Sequence, residues 1–240
     1  MKRVVGIDIG GSNIRVAVFE SERAVFFKIF KTPKSKEKFL RLLRKICNIA
    51  KKQEDLTGVG ISIAGAIEKE KIIRSPNVPY LKNFNFRNVF PRPIRLSVDN
   101  DARAFARAEL RARRFMRGAR SNSNNVKIFA FTLGTGIGRA YGENGKIKKI
   151  KRFEYPEKWE REYQAVWDKN LLASYLAKHL APFIFRYRPD IIVFGGGVSA
   201  YPGFFKKFKR LIKKYGIRGR VELPKLPKYA GAWGAALLVI

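Results

Sequence analysis

The sequence predicts an α/β protein built as two similar lobes with a cleft between them. A strand–glycine turn–strand plan opens the chain at RVVGIDIGGSNIRVAVFE, and the same plan returns at VKIFAFTLGTGIGRAYGENGKIKKI. Strands and amphipathic helices follow each copy, the pattern of layered α/β halves. A polar linker, GARSNSNN, falls between the copies and is where the lobes are expected to part. With 240 residues and 46% apolar content, the chain can bury a real core.

Each element has its own signal. Val4, Val5, Ile7 and Ile9 make a first strand, Ile14, Val16 and Val18 a second, and AVFFKIFKT a third. Phe39, Leu42, Leu43, Ile46 and Ile49 recur at helical spacing, so 34–52 reads as an amphipathic helix with Cys47 as a buried thiol. LTGVGISIAGAI is a buried strand entering a glycine turn, and EKEKIIRSP is a short hairpin return. Segment 77–93, rich in proline and asparagine, reads as loop. PIRLSVDND is a strand ending in acidic and amide residues, and ARAFARAELRARRFMRG is a helix. In the second half, the Asn-Gly of ENGK suits a tight hairpin. Segment 157–186 is mostly helical and carries the single histidine, His179, on its surface or packed. PDIIVFGGGVS is a buried strand with a triple-glycine loop, FFKKFKRLIKKYG an amphipathic helix with a glycine stop, RVELPKL a short strand, and AGAWGAALLVI an apolar helix.

Composition removes several function classes. One cysteine and one histidine leave no material for an internal disulfide, a cysteine zinc cluster, a Ser-His pair or a multi-histidine metal site. No apolar run reaches membrane-spanning length, and MKRVVGIDIGG reads as a strand rather than a signal peptide, so the cytoplasm is the expected location. The charge is unusual: 51 Lys and Arg against 19 Asp and Glu, a formal +32. Such a field attracts nucleic acid, anionic membrane or phosphorylated ligands. Arg103, Arg107, Arg111 and Arg114 fall on one helical face and could hold a polyanion. No nucleic-acid-binding motif accompanies them, so the stripe reads as a solvated face, with neither nucleic acid nor membrane expected as a partner.

Three glycine turns each follow a buried strand: DIGGSN at 8–13, LGTGIG at 133–138 and FGGGVS at 194–199. Glycine lets consecutive backbone N–H groups approach an anion, so such turns can cradle phosphates. None is a P-loop or a dinucleotide fingerprint. Asp8 stands at the first turn, and a carboxylate beside a phosphate site calls for a cation, naturally Mg2+. Asp99, Asn100 and Asp101 end a strand and open a helix. One of them suffices as an N-cap, and the strand's carboxyl end is where open α/β sheets place ligands.

Taken together, DIGGSNIR, PNVPYL, VDNDARAFARAE, LGTGIG and PDIIVFGGGVS resemble the ROK family of sugar kinases, in order and approximate spacing over most of the chain. That family belongs to the actin-like, sugar-kinase and chaperone ATPase superfamily. The resemblance implies lobes of ribonuclease H-like (actin-like ATPase) type, 1–120 and 121–229, with the helix at 230–240 returning to the first. It implies that Asp8, Gly10, Gly11 and Ser12, beside Asn13 and Arg15, meet ATP phosphate and Mg2+, Asp8 through water. Gly134, Thr135, Gly136 and Gly138 would form the other phosphate loop, and Gly195, Gly196 and Gly197 would lie against the adenosine. Asn100 would bind sugar hydroxyls and Asp101 would be the general base, with Asn77, Gly65 and Glu157 completing the acceptor side.

This sequence also departs from that pattern. The family usually carries a Gly-Glu-x-Gly-His motif followed by zinc-binding cysteines. Here KIKKIKRFEYPEKWEREY has neither His nor Cys, so no zinc is expected, and Glu154 or Glu157 would have to stand in for the missing glutamate. With no helix-turn-helix ahead of Met1, the repressor branch is not expected. The implied activity is glucokinase-like transfer of the γ-phosphoryl of ATP to a hydroxyl of a hexose or hexose derivative. A basic acceptor pocket would suit an acidic or phosphorylated sugar. Two other readings stand beside it: a nucleotide-binding sensor that has lost the sugar site, and a basic nucleic-acid-associated protein. A homodimer would match the family, with no interface readable in the sequence.

Overall fold

The computed structural model describes residues 2–116, 126–134, 136–163, 165–166, 169–226 and 228–240. The polar linker at 118–125 and Thr135 lie outside them. The chain divides into two compact units, Met1–Ala108 with Lys228–Ile240, and Glu109–Pro227.

In the first unit, β1 (Arg3–Ile9), β2 (Asn13–Glu20) and β3 (Arg23–Lys31) form an antiparallel meander, and β4 (Leu56–Ile63) and β8 (Leu96–Asn100) add in parallel, giving the order β3-β2-β1-β4-β8. Continuous apolar runs are what a strand buried on both faces requires, and Val5, Ile7, Ile9, Val59, Ile61 and Ile63 are all buried. Helix α1 (Lys36–Lys51) buries Phe39, Leu43, Ile46, Cys47 and Ala50, and the Ser35 hydroxyl caps it by accepting from Lys38 N at 3.4 Å. Burial pushes the Cys47 thiol pKa up, in keeping with a packing role.

Segment 77–93 departs from the loop expected of it. It contains β7 (Phe84–Asn85), which joins β5 (Ala66–Glu68) and β6 (Lys71–Arg74) in a small antiparallel sheet, and a 3-10 turn at Phe86–Asn88. The order comes from apolar burial. Phe84 and Phe86 meet edge to face at 5.2 Å inside the core, which proline counting could not reveal.

The second unit repeats the plan. β9 (Ile128–Leu133), β10 (Ile137–Glu143) and β11 (Lys146–Lys148) form the meander, and β12 (Ile191–Gly195) and β13 (Arg220–Glu222) add in parallel, in the order β11-β10-β9-β12-β13. Asn144 and Gly145 both have positive φ, the geometry the Asn-Gly pair predicts. Phe129, Phe131 and Phe194 stack at 4.6 and 5.1 Å in the core, against α4 (Lys169–Tyr187) and α5 (Phe204–Lys214). His179 packs on Trp159 and Tyr175, with ring centroids 4.7 and 4.5 Å away. The shared strand order is that of the ribonuclease H-like units of actin-like ATPases, the fold class the sequence predicts.

The arginine face of α2 (Asp101–Met116) is not the solvated stripe expected. Arg103 Nε and Arg107 Nη2 each lie 2.5 Å from the Asp99 carboxylate, and Arg107 Nη1 donates to Gly234 O at 3.0 Å. Arg103 is buried and Arg107 largely so. A buried carboxylate at the end of β8 requires paired cations nearby, and the helix supplies them one and two turns along. Arg111 is a helix neighbour with interactions of its own, and the side chain of Arg114 lies outside the described residues.

Candidate active site

Parallel pairing of β1, β4 and β8 brings their carboxyl ends together in the first unit. Strand register sets Arg15, Asp8, Ser62 and Asp99 side by side, followed by Ile9, Ile63 and Asn100. Asp8 is half-buried. Its Oδ1 accepts from the buried Ser62 hydroxyl at 2.9 Å, and its Oδ2 faces Arg15 Nη1 at 3.4 Å. Desolvation raises the Asp8 pKa, against the pull of Arg15 and Ser62. Gly231, in α6 (Ala230–Ala236), backs the carboxylate so closely that a Cβ there would come within 2.5 Å of Asp8 Cγ.

The acidic cluster at 99–101 divides its labour. Burial would raise the Asp99 pKa, but Arg103 and Arg107 outweigh it and hold the carboxyl below its usual range, so Asp99 is a permanent counter-ion. Asn100 is the N-cap of α2: its Oδ1 accepts from Ala102 N at 3.0 Å and Arg103 N at 3.4 Å, and its Nδ2 donates to Gly65 O at 3.2 Å. Asp101 opens the helix, and there the backbone N–H groups of Ala102 and Asp101 and the charge of Arg103 are too weak to hold it ionised. Burial first, and the Asp8 charge second, push its pKa up to about 6.

The first glycine turn is held in the same region. Gly10 N donates to Asn13 O at 3.0 Å, the Thr32 hydroxyl to Gly10 O at 2.6 Å, and Thr32 N to Ser12 O at 3.0 Å. A Cβ on Gly11 would lie 3.4 Å from Asn77 Cβ, so the PNVPYL loop abuts this turn. The Ser75 hydroxyl accepts from Val78 N at 3.2 Å and shapes that loop. The structure therefore gathers Asp8, Gly10, Gly11, Asn77, Gly65, Asn100 and Asp101 in one unit.

In the second unit, Gly138 and Gly195 both pair with Thr132, so the second glycine turn and the triple-glycine loop emerge beside each other. Gly134 N donates to Gly136 O at 3.0 Å. Gly196 is demanded by the fold: its φ is +92°, and a Cβ would lie 2.2 Å from Leu133 O. Gly134, Gly136 and Gly197 are not, since a Cβ on any of them would meet nothing within 4 Å. Glu157 is engaged locally, its carboxylate accepting from Arg152 Nε at 2.9 Å, and Glu154 ends the 3-10 turn Lys151–Glu154.

Sequence reasoning missed Ser62, Thr32, Gly231 and Tyr163. Ser62 did leave a trace, as the one polar residue in GVGISIAG. Among the described residues, no three His, Cys, Asp or Glu side chains group as a metal cage, and no helix is long and apolar enough to cross a membrane.

The ROK family model matches residues 4–152 and 156–240. The chain belongs to the ROK family. An N-acetyl-D-glucosamine kinase of Citrobacter koseri is 31% identical over 150 residues, which cover 59% of this chain and 46% of that protein. The chain thus spans about half the length of the curated kinases it matches. A ROK glucokinase of Streptomyces griseus, solved with glucose and AMPPNP, superposes with TM-score 0.77 at 20% identity, covering 99% of each chain. A ROK transcriptional regulator homologous to the E. coli MLC protein superposes with TM-score 0.70 at 16% identity, covering 98% of this chain and 77% of that one. These superpositions show the fold.

Proposed function

We propose that this chain is an ATP-dependent sugar kinase that transfers the γ-phosphoryl of ATP to a hydroxyl of a hexose or hexose derivative. The observation that carries the reading is Asp101: a carboxylate at the carboxyl end of a parallel sheet, raised to about 6 because burial and Asp8 outweigh Arg103 and the backbone N–H groups. A general base works best with a pKa near the operating pH, and Asp101 meets that condition while its neighbour Asp99 is locked as a counter-ion. The family relatives support the class of donor and acceptor, since one is an N-acetyl-D-glucosamine kinase and another binds glucose and AMPPNP.

Backbone N–H groups of Gly134, Gly136 and Gly138 in the second unit would take nucleotide phosphate, as would those of Gly10, Gly11 and Ser12 in the first. The open space before Gly134, Gly136 and Gly197 fits such an approach, because packing gives no reason for those residues to be glycine. Asp8, a desolvated carboxylate beside the first glycine turn, is the residue that would hold Mg2+, through water. Mg2+, when bound, neutralises phosphate charge. Ser62 and Arg15 orient Asp8. Asn77 and the edge of Asn100 position the sugar, with Gly65 fixing Asn100, and Asp101 takes the proton of the attacking hydroxyl. Most of the acceleration comes from positioning and charge stabilisation.

The test is ATP consumption against neutral, amino and acidic sugars, with a no-sugar control and Asp101→Ala in parallel. Turnover should require one sugar class and fall about 10²–10⁴-fold in the variant, with ATP binding retained. Undiminished turnover in Asp101→Ala would remove Asp101 from the role. One observation favours a second reading, a nucleotide sensor: Glu157, a candidate for the acceptor side, is tied to Arg152. ATP binding with no sugar-dependent turnover across the panel would select it.

A further inference from the structure

A turn of glycines with open space around it is entropically loose, and a turn that must present N–H groups to phosphate has to be held from behind. We propose that Tyr163 is a positioning residue for the second glycine turn, and that the single helical turn α3 (Glu160–Tyr163) is its support. The proposal rests on the reading above, in which residues 134–138 take nucleotide phosphate.

Glu160 and Tyr163 are three residues apart and so share a helix face, and both are buried. The Tyr163 hydroxyl donates to Gly134 O at 3.1 Å, at the start of the turn. Glu160 Oε1 lies 2.7 Å from Nη2 of Arg139, the residue that follows Gly138 at the turn's end. One helical turn therefore grips both ends of the loop.

The support is itself anchored. The Glu160 carboxylate also accepts from Glu157 N at 2.8 Å, which starts the helical turn. The Tyr175 hydroxyl, on α4, donates to Trp159 O at 2.7 Å, and Trp159 stacks on His179 of the same helix. Arg139 is almost wholly buried beneath the rings of Phe153 and Phe183, donates from Nη2 to Tyr155 O at 2.9 Å, and has no hydrogen-bond partner at Nε or Nη1. Glu160 is its bonded counter-ion, with the Glu157 charge a lesser second, so losing that pair would leave a buried cation poorly compensated. Segment 150–163, which lacks the family's Glu-His and cysteine motifs, is thus a clamp built on Arg139 and aromatic packing. Its influence falls on the nucleotide side.

Tyr163→Phe keeps the ring and removes only the hydroxyl. Two readouts separate positioning from mere folding: amide exchange at Gly136 and Gly138 in the unliganded protein, and the dissociation constant for a non-hydrolysable ATP analogue without sugar. Loss of one neutral hydrogen bond should speed exchange at the turn and weaken analogue binding, each about three- to tenfold. Exchange in β12 and the sugar KM at saturating ATP should not move. Unchanged exchange at Gly136 and Gly138 overturns the proposal. So does faster exchange with unchanged analogue binding, in which case the kinase reading still stands. A wild-type protein that binds no nucleotide overturns that reading and the proposal together.

Discussion

At the scale of single residues, Asp101 ties function to stability. Its folded pKa is raised from 3.8 to about 6, so the folded protein binds this proton more tightly than the unfolded chain does. By linkage, ionised Asp101 destabilises the fold on the order of 3 kcal/mol well above about pH 6, and not at all below about pH 4. Asp101→Asn should therefore raise Tm by several degrees at about pH 7.5 and lose that advantage at about pH 4, while turnover is lost. A variant no more stable at neutral pH would mean that the carboxylate is not desolvated. The kcat/KM of the wild type should fall about tenfold per pH unit below about pH 6, as the base is protonated. Gly136→Ala isolates the other half of the site. Its Cβ would meet nothing within 4 Å, so stability should change by less than about 0.5 kcal/mol while ATP binding weakens tenfold or more. Titration calorimetry beside a thermal melt reads both. Asp8, Asn100 and Asp101 were legible in the sequence because they end apolar strands. Ser62 was not, because only strand register shows that it faces Asp8.

At the scale of elements, α6 shows what periodicity cannot say. AGAWGAALLVI reads as an apolar helix, but not as one that seats its backbone directly on a sheet. A Cβ on Gly60 would lie 1.9 Å from Ala235 O, and one on Gly234 only 1.7 Å from Ala104 O. The helix approaches β4 and α2 through glycines on both sides, and this contact also sets Gly231 against Asp8. Gly60→Ala should cost about 3 kcal/mol or more in a urea melt, since backbone must move against backbone. A loss below about 1 kcal/mol would show that α6 can shift freely. The same contrast explains segment 77–93. Its prolines and asparagines spoke for a loop, and long-range burial of Phe84 and Phe86 made part of it a strand. The strand–turn–strand meanders were legible throughout because each carries its own alternation and turn residues, local signals that need no partner.

At the scale of the whole molecule, the charge of +32 has to be reconciled with a stable fold. Many of the scarce carboxylates are already committed. Asp99 holds Arg103 and Arg107, Glu109 is buried against Arg113 and accepts from Lys225 N at 2.9 Å, and Glu160 holds Arg139. The excess cations therefore remain on the surface, where α5 alone exposes Lys206, Lys209, Arg210, Lys213 and Lys214 without an acidic residue in the helix. Mutual repulsion among them opposes the compact state, and its range is set by salt: the Debye length shrinks from about 30 Å at 0.01 M to about 8 Å at 0.15 M. Raising sodium chloride across that interval should increase Tm by several degrees, whereas the buried pairs, which water and salt reach poorly, contribute little to the change. ATP capture should move the opposite way, because the same field that strains the fold draws in a polyanionic ligand, so the KM for ATP rises with salt as Tm does. A neutral osmolyte gives the control: it should raise Tm by exclusion from the surface without raising that KM. A Tm flat across the salt range would mean that the surface cations are neutralised in pairs after all. A KM for ATP that ignored salt would confine nucleotide recognition to the glycine turns and their immediate neighbours.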